Sequence, residues 1–168
     1  MEFLIVVDMQ NDFISGALGT AEARDIVPRV EQLVREFDGQ LIFTRDTHSV
    51  DYLNTREGKY LPVEHCIEGT CGWQICDELR PFVGRVIDKV TFGSTELADV
   101  ILSYGEKIEK IKLCGLCTDI CVISNAMILK AAFPETDIEI ISDCCAGVTP
   151  KSHQCALESM RMVQIGII

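Results

Sequence analysis

Short apolar runs alternate with segments of helical periodicity along the chain, and this alternation restricts the fold more than any other feature. The apolar runs predict six strands, at residues 3–7, 41–43, 85–87, 111–113, 138–141 and 163–168. The helical segments follow them, at residues 26–37, 97–102, 118–132 and after an N-cap at Thr149. Such an order predicts a three-layer α/β/α domain over residues 1–168, with a six-stranded parallel sheet.

Composition limits the partners and the environment. The 168 residues carry a net charge of -11, so nucleic acid and anionic membrane surfaces are poor candidates as partners. No apolar run is long enough to span a bilayer, and the start lacks the positive charge of a signal peptide. We therefore expect a cytoplasmic protein whose nine cysteines are reduced and mostly buried.

Three chemically active side chains come at or soon after the ends of predicted strands. Asp8 follows the first strand, Lys89 follows the third, and Cys121 falls in the first turn of the helix after the fourth. Taken singly, they are more often a turn aspartate, a solvated lysine and a packed cysteine. Ligands of parallel sheets bind beyond the carboxyl ends of the strands, so the three together predict an active site. A helix N-terminus would favour a thiolate at Cys121.

The segment from 45 to 72 has no clear period and is polar, which predicts a long irregular and functional loop. It contains two of the three histidines, His48 and His65, and Asp46 lies two residues before the first of them. Imidazole and carboxylate groups are ligands for zinc, iron or manganese. Taken alone, an Asp-x-His pair is a weak signal.

Five ordered motifs together resemble the isochorismatase-like cysteine hydrolases, the superfamily that includes the nicotinamidases. They span nearly the whole chain, at residues 6–13 (VVDMQNDF), 44–48 (TRDTH), 65–70 (HCIEGT), 88–89 (DK) and 115–122 (GLCTDICV). The resemblance implies a Rossmann-like fold, a small-molecule amide substrate and assembly as a homo-oligomer.

The resemblance also implies roles for individual residues. It implies a catalytic triad of Asp8, Lys89 and Cys121, and a cis peptide bond between Leu116 and Cys117 that would direct the N–H groups of Cys117 and Cys121 at an oxyanion. The implied ligands of a divalent metal ion, zinc being favoured, are Asp46, His48 and His65, with Glu57 as a further candidate.

The pocket wall departs from the family pattern. Thr47 stands where relatives carry an aromatic residue, and residues 90–94 differ from the usual stretch. We expect Phe13 and Phe92 to contact the substrate, Trp73 to pack in the core, and His153 to be a surface or interface histidine.

The favoured activity is hydrolysis of nicotinamide to nicotinate and ammonia through a thioester at the cysteine. One alternative within the family is hydrolysis of another small substrate, isochorismatase-like or a carbamoyl amide. An alternative of another class is a thiol redox protein that uses the Cys-x-x-Cys pair Cys114 and Cys117. A third is a binding domain without activity, which the presence of all three triad residues disfavours.

Overall fold

A computed structural model describes all 168 residues, and its centre is one six-stranded sheet in which every strand is parallel to its neighbours. The strands lie in the order β3-β2-β1-β4-β5-β6. Their bounds are β1 Glu2–Val7, β2 Gln40–Asp46, β3 Arg85–Lys89, β4 Lys110–Leu116, β5 Asp137–Ala146 and β6 Gly166–Ile167. The predicted parallel α/β fold is confirmed.

Six helices connect and cover the strands. Their bounds are α1 Asn11–Ile14, α2 Ala21–Glu36, α3 Arg56–Tyr60, α4 Thr95–Leu102, α5 Ile123–Ala132 and α6 Pro150–Met162. Helices α4, α5 and α6 contact one another in turn, whereas α2 packs on β4 and β5. Right-handed crossovers place α2 on one face and the other three on the opposite face, which gives the three layers.

Local sequence explains the main elements. Residues 3–7 of β1 are completely buried, as expected for a central strand covered on both faces. Helix α2 begins after Thr20, whose side chain accepts a hydrogen bond from the Ala23 N–H. Helix α6 begins, as predicted, with Thr149 as N-cap and Pro150 in the first turn.

Three predicted elements differ from the observed ones. The segment 45–72 is not structureless: it contains α3 and a short 3₁₀ turn at Tyr52–Asn54, elements too short to leave a periodic pattern. The last strand is only Gly166–Ile167, because Val163 ends α6 instead. The predicted helix 118–132 opens with a π-helical turn, Thr118–Val122, before α5 begins.

The chain adds strands first on one side of β1 and then on the other, and this change of direction determines where a ligand can bind. Strand β1 pairs with β2 on one side and with β4 on the other, so the crossovers leave it in opposite directions. Such a point opens a crevice at the carboxyl ends of the strands. None of the helices combines the length and the apolar character needed to cross a membrane.

Candidate active site

Asp8, Lys89 and Cys121 meet at the carboxyl edge of the sheet. The Lys89 Nζ lies 2.6 Å from an Asp8 carboxylate oxygen and donates a hydrogen bond to the Cys121 Sγ over 3.5 Å. All three are buried, with at most 5% of any of them exposed. The three residues expected to form a triad are therefore brought together, although they are far apart in the sequence.

Strand geometry places the two charged members. Asp8 follows β1 in a left-handed backbone conformation with φ of 49°. Its N–H donates to the Thr44 carbonyl oxygen, and the Thr44 hydroxyl donates to its carboxylate over 2.6 Å. Lys89 is the last residue of β3, where it stands beside Asp46 in the parallel register. The neighbouring ends of β1, β2 and β3 thus converge on one ion pair.

Burial opposes ionisation of the cysteine, contrary to the effect expected from a helix N-terminus. Burial raises the pKa of the Cys121 thiol well above its usual value, and the Asp8 charge raises it further, while Lys89 opposes both effects. Burial likewise raises the pKa of Asp8, against the lowering effect of Lys89. The thiol proton therefore needs an acceptor beside it, and Asp8 is that neighbour.

The backbone around Cys117 has the predicted unusual geometry. The peptide bond between Leu116 and Cys117 is cis, as predicted. The Cys117 N–H donates no hydrogen bond within the protein, while its carbonyl accepts from the N–H groups of Ile120 and Val122. Cys117 and Cys121 line the same cavity. The loop therefore has an amide donor free to bind an oxygen atom of a ligand.

Four further side chains gather next to this group. Asp46, His48, Glu57 and His65 each offer one donor atom, and these atoms lie within 4.8 Å of one another. The His48 Nε2 lies 2.9 Å from an Asp46 oxygen and 3.7 Å from a Glu57 oxygen. Two imidazoles and two carboxylates are a suitable ligand set for zinc, iron or manganese. The structure thus brings all four expected ligands into one cluster.

Electrostatics and hydrogen bonds order this cluster. Burial alone would raise the pKa of Asp46, but the hydrogen bonds to His48 and His65 hold that pKa well below its usual range. The pKa of Glu57 is raised by burial and by the Asp46 charge. His65 Nδ1 lies 2.8 Å from the Val63 carbonyl, which orients its Nε2 towards the other donors.

One cavity of about 330 Å³ connects the cysteine with the cluster. Its ionisable lining includes three members of the cluster, Asp46, Glu57 and His65. Phe13 and Phe92 line it, as expected for substrate-contacting residues, together with other apolar side chains, which include Leu18, Leu61, Leu116, Ile120 and Val148. No lysine or arginine is among the lining residues. The cavity therefore suits a small, largely apolar and uncharged molecule.

Trp73 lies elsewhere than predicted, and His153 has a polar partner that the sequence did not indicate. Trp73 is not in the core: it is partly exposed, its indole N–H donates to the Thr47 hydroxyl, and the Arg45 guanidinium stacks on its ring. His153 is partly exposed, as a surface histidine would be, and its Nδ1 lies 2.8 Å from the Thr118 hydroxyl. In both cases a polar partner from a distant segment holds the ring.

Two residues of the site were not predicted. Thr44 is completely buried and hydrogen-bonds Asp8, and its position near the carboxyl end of β2 was the available signal. Tyr52 is also completely buried, with its ring centroid 4.7 Å from that of His48 and 5.0 Å from that of His65. No sequence pattern marks Tyr52, since it lies in the segment without a period.

The chain is similar to known proteins over nearly its whole length. The family model described as the isochorismatase domain matches residues 2–167. The nicotinamidase of Schizosaccharomyces pombe is 25% identical, over 98% of this chain and 91% of the relative. The pyrazinamidase of Pyrococcus horikoshii, solved in complex with zinc, is 28% identical with a TM-score of 0.83, over 99% of this chain and 98% of the other.

A second solved structure gives a similar result. The pyrazinamidase/nicotinamidase of Streptococcus mutans is 25% identical with a TM-score of 0.85, and the match covers 100% of both chains. The family model extends over almost every residue, and the observed six-stranded parallel sheet is consistent with that match. This chain therefore belongs to the isochorismatase family of hydrolases.

Proposed function

We propose that this protein hydrolyses the amide bond of nicotinamide, releasing nicotinate and ammonia through a thioester at Cys121. The observation that carries the proposal is the contact of Cys121 with the Lys89–Asp8 ion pair in the cavity that the metal-ligand cluster also lines. The nicotinamidase and pyrazinamidase relatives support the choice of substrate class.

The first half of the reaction forms the thioester. The Asp8 carboxylate takes the proton of the Cys121 thiol, and the sulfur attacks the amide carbonyl carbon. The N–H groups of Cys117 and Cys121 stabilise the negative oxygen that results. Asp8 returns its proton to the amide nitrogen as the C–N bond breaks, and ammonia leaves.

The second half regenerates the cysteine. Asp8 takes a proton from a water molecule, whose oxygen attacks the thioester carbon. The C–S bond breaks, the Cys121 sulfur recovers the proton from Asp8, and the nicotinic acid that forms leaves and releases its own proton to solvent as nicotinate. Lys89 stays charged throughout: burial alone would lower its pKa, but the neighbouring Asp8 and Cys121 raise that pKa instead. Its charge keeps Asp8 ionised between proton transfers.

The metal ion would have a role separate from that of the triad. Asp46, His48, Glu57 and His65 would hold it, since their donor atoms already cluster within reach of one ion. When bound, the ion supplies a Lewis acid that accepts a neutral nitrogen donor such as that of a pyridine ring. Phe13 and Phe92 would contact the ring of the substrate from the cavity wall.

The charge of the cavity argues for nicotinamide over the alternative substrates. Apart from a bound metal ion, the lining offers no cation to pair with the carboxylates of a compound such as isochorismate. A carbamoyl amide without a ring would leave most of the apolar wall unused. A neutral aromatic amide suits both the apolar wall and the metal-ligand cluster.

The redox alternative has less support. Cys114 lies inside β4 and is completely buried, and burial raises the pKa of its thiol well above the usual value. Unlike Cys121, Cys114 does not line the cavity, so a disulfide substrate bound there would not meet its sulfur. Homo-oligomeric assembly and a cytoplasmic location stay predictions from the sequence.

The test is ammonia release from nicotinamide by the wild type, by Cys121→Ala and by the control Cys155→Ala, which removes an exposed cysteine. We expect release by the wild type and by the control, and a rate at least about 10³-fold lower for Cys121→Ala, since the nucleophile is lost. Circular dichroism should show that all three are folded.

Three other results would each contradict a different part of the proposed function. Undiminished release by Cys121→Ala would overturn the mechanism. Release from a carbamoyl amide but not from nicotinamide would overturn the substrate while keeping the class of reaction. Disulfide reductase activity that persists in Cys121→Ala, with no amide hydrolysis, would favour the redox alternative.

A further inference from the structure

The side chain of Gln10 is completely buried and makes three hydrogen bonds to backbone groups. Its Nε2 donates to the Asp46 carbonyl oxygen over 2.8 Å and to the Trp73 carbonyl oxygen over 2.9 Å. Its Oε1 accepts from the Asp46 N–H over 2.7 Å. Both donor hydrogens and one acceptor position of the carboxamide are therefore used, two of the three on Asp46.

These bonds replace strand pairing at the place where β1 ends. The register of β1 with β2 extends only as far as Val6 and Phe43, and the Asp8 N–H makes one more bond, to the Thr44 carbonyl. Beyond that point no backbone of β1 faces Asp46. The carboxamide of Gln10 has the donor and acceptor of a peptide group, and it continues the ladder on that side of β2.

Gln10 is itself held firmly. It forms an isolated antiparallel bridge with Ile75, and its carbonyl accepts from the N–H groups of Phe13 and Ile14 at the start of α1. The backbone that carries the Gln10 carboxamide is therefore held in place by hydrogen bonds. A side chain anchored in this way can determine the direction of the residue that it binds.

Asp46 is the residue whose direction matters most in the site. One carboxylate oxygen lies 3.3 Å from the Lys89 Nζ, and the other lies 2.9 Å from the His48 Nε2 and 3.6 Å from the His65 Nε2. A rotation of the Asp46 backbone would move both oxygens. We propose that Gln10 is a positioning residue that fixes Asp46 through its backbone and thereby sets the geometry of the metal ligands.

This inference rests on the metal site of the proposed function. Partners that orient metal ligands without touching the ion typically change metal affinity about 10- to 100-fold when they are removed. Gln10→Met keeps the approximate size of the side chain and removes all three hydrogen bonds. Gln10→Asn keeps the amide, but it is one methylene shorter and cannot reach Asp46 and Trp73 together.

The experiment measures the Zn²⁺ dissociation constant of the metal-free protein by competition with a chromogenic chelator. We expect Gln10→Met to weaken Zn²⁺ binding about 10- to 100-fold and Gln10→Asn to weaken it in the same direction. Ile111→Val, buried towards the amino end of β4, is the control for a general loss of stability, and its dissociation constant should equal that of the wild type. The d–d absorption of the Co²⁺-loaded proteins should change only in the Gln10 variants.

The outcomes separate this inference from the proposed function. Wild-type affinity in a folded Gln10→Met or Gln10→Asn variant would overturn the positioning role. Equal weakening in Ile111→Val would overturn it too, because general destabilisation would then explain the effect. A wild type that binds Zn²⁺ but releases no ammonia from nicotinamide would overturn the proposed substrate and leave this inference standing. A wild type that binds no Zn²⁺ would overturn both the inference and the metal part of the function.

Discussion

At the scale of single residues, Asp46 links two groups of side chains that the sequence presents separately. It contacts Lys89, which in turn contacts Asp8 and Cys121. It also contacts His48, another member of the metal-ligand cluster. Lys89 in turn has four partners, since it contacts Asp8, Asp46 and Cys121 and also donates to the Thr91 carbonyl. A change at either residue is therefore expected to affect the ionisation of the other.

Replacing Lys89 by methionine should shift the pH dependence of the reaction. The Lys89 charge lowers the pKa of Asp8, which burial otherwise raises. Without that charge the pKa of Asp8 rises, and the carboxylate that accepts the thiol proton is lost at low pH. The acid limb of the kcat/KM profile for nicotinamide should move to higher pH, and activity lost at neutral pH should partly return as the pH is raised.

The control for this substitution is Lys151→Met, which removes an exposed lysine of α6. Its profile should match that of the wild type. An acid limb that stays in place in Lys89→Met would show that Lys89 does not govern the ionisation of Asp8.

His48→Ala should lower the metal content of the purified protein. The variant removes one of the four donor side chains. Loss of a residue that only orients a ligand weakens metal binding about 10- to 100-fold, and we expect loss of a direct ligand to weaken it more. The measurement is the metal per chain by elemental analysis. His153→Ala removes the one histidine outside the cluster and should keep the wild-type content. Equal content in all three proteins would mean that the cluster does not hold the metal.

At the scale of elements, the loop between β4 and α5 depends on a close approach of two central strands. Gly115 has φ of 112°, and a Cβ at this position would overlap the Val7 carbonyl oxygen of β1. The loop that follows carries Cys117 and the π-helical turn Thr118–Val122 with Cys121 inside it. The glycine therefore allows β1 and β4 to bring Asp8 and the cysteine to the same edge.

Gly115→Ala should be strongly destabilising. The positive φ of a residue with a Cβ stores about 1–3 kcal/mol, and the overlap with Val7 adds about 1–3 kcal/mol more. The free energy of unfolding in urea should fall accordingly. Gly105→Ala is the matched control, because Gly105 also has a positive φ of 67° but no atom within 4 Å of the added Cβ. Equal losses in the two variants would contradict a role for the strand contact.

At the scale of the whole molecule, the parallel sheet gathers distant parts of the chain around one cavity. Strands β2 and β3 end at Asp46 and Lys89, and Asp8 directly follows β1. The loop after β4 adds Cys121 from the other side of β1. The cluster also ties α3, which carries Glu57, to the end of β2. A bound metal ion would therefore hold the segment after β2 against the sheet.

Removing the metal should lower the stability of the whole protein. An ion that binds only the folded chain stabilises it by about 2.7 kcal/mol when its free concentration is 100 times Kd. For a chain of this size, that corresponds to a Tm about 5–11 °C lower after chelation. Scanning calorimetry with and without EDTA checks this, and the Tm of His48→Ala should not respond. A wild-type Tm that EDTA leaves unchanged would contradict metal binding by the folded chain.

Much of this molecule follows from the sequence by itself. The apolar runs predict the strands because burial on both faces of a parallel sheet requires uninterrupted apolar residues. The rule that ligands bind at the carboxyl ends of such strands then selects Asp8 and Lys89, since both follow the runs directly. The motif resemblance adds Cys121 and the metal ligands. These features are local, or they depend only on the order of elements along the chain.

Other features were decided by the tertiary structure alone. The raised pKa of Cys121 depends on burial and on the Asp8 charge, and both arise from packing against other segments rather than from the local helix N-terminus. Tyr52 and Gln10 take their roles from contacts with residues of other segments. Trp73 lies outside the core, where its indole N–H donates to Thr47 and the Arg45 guanidinium stacks on its ring. A sequence pattern records the surroundings of a residue along the chain, whereas these roles arise between residues that only folding brings together.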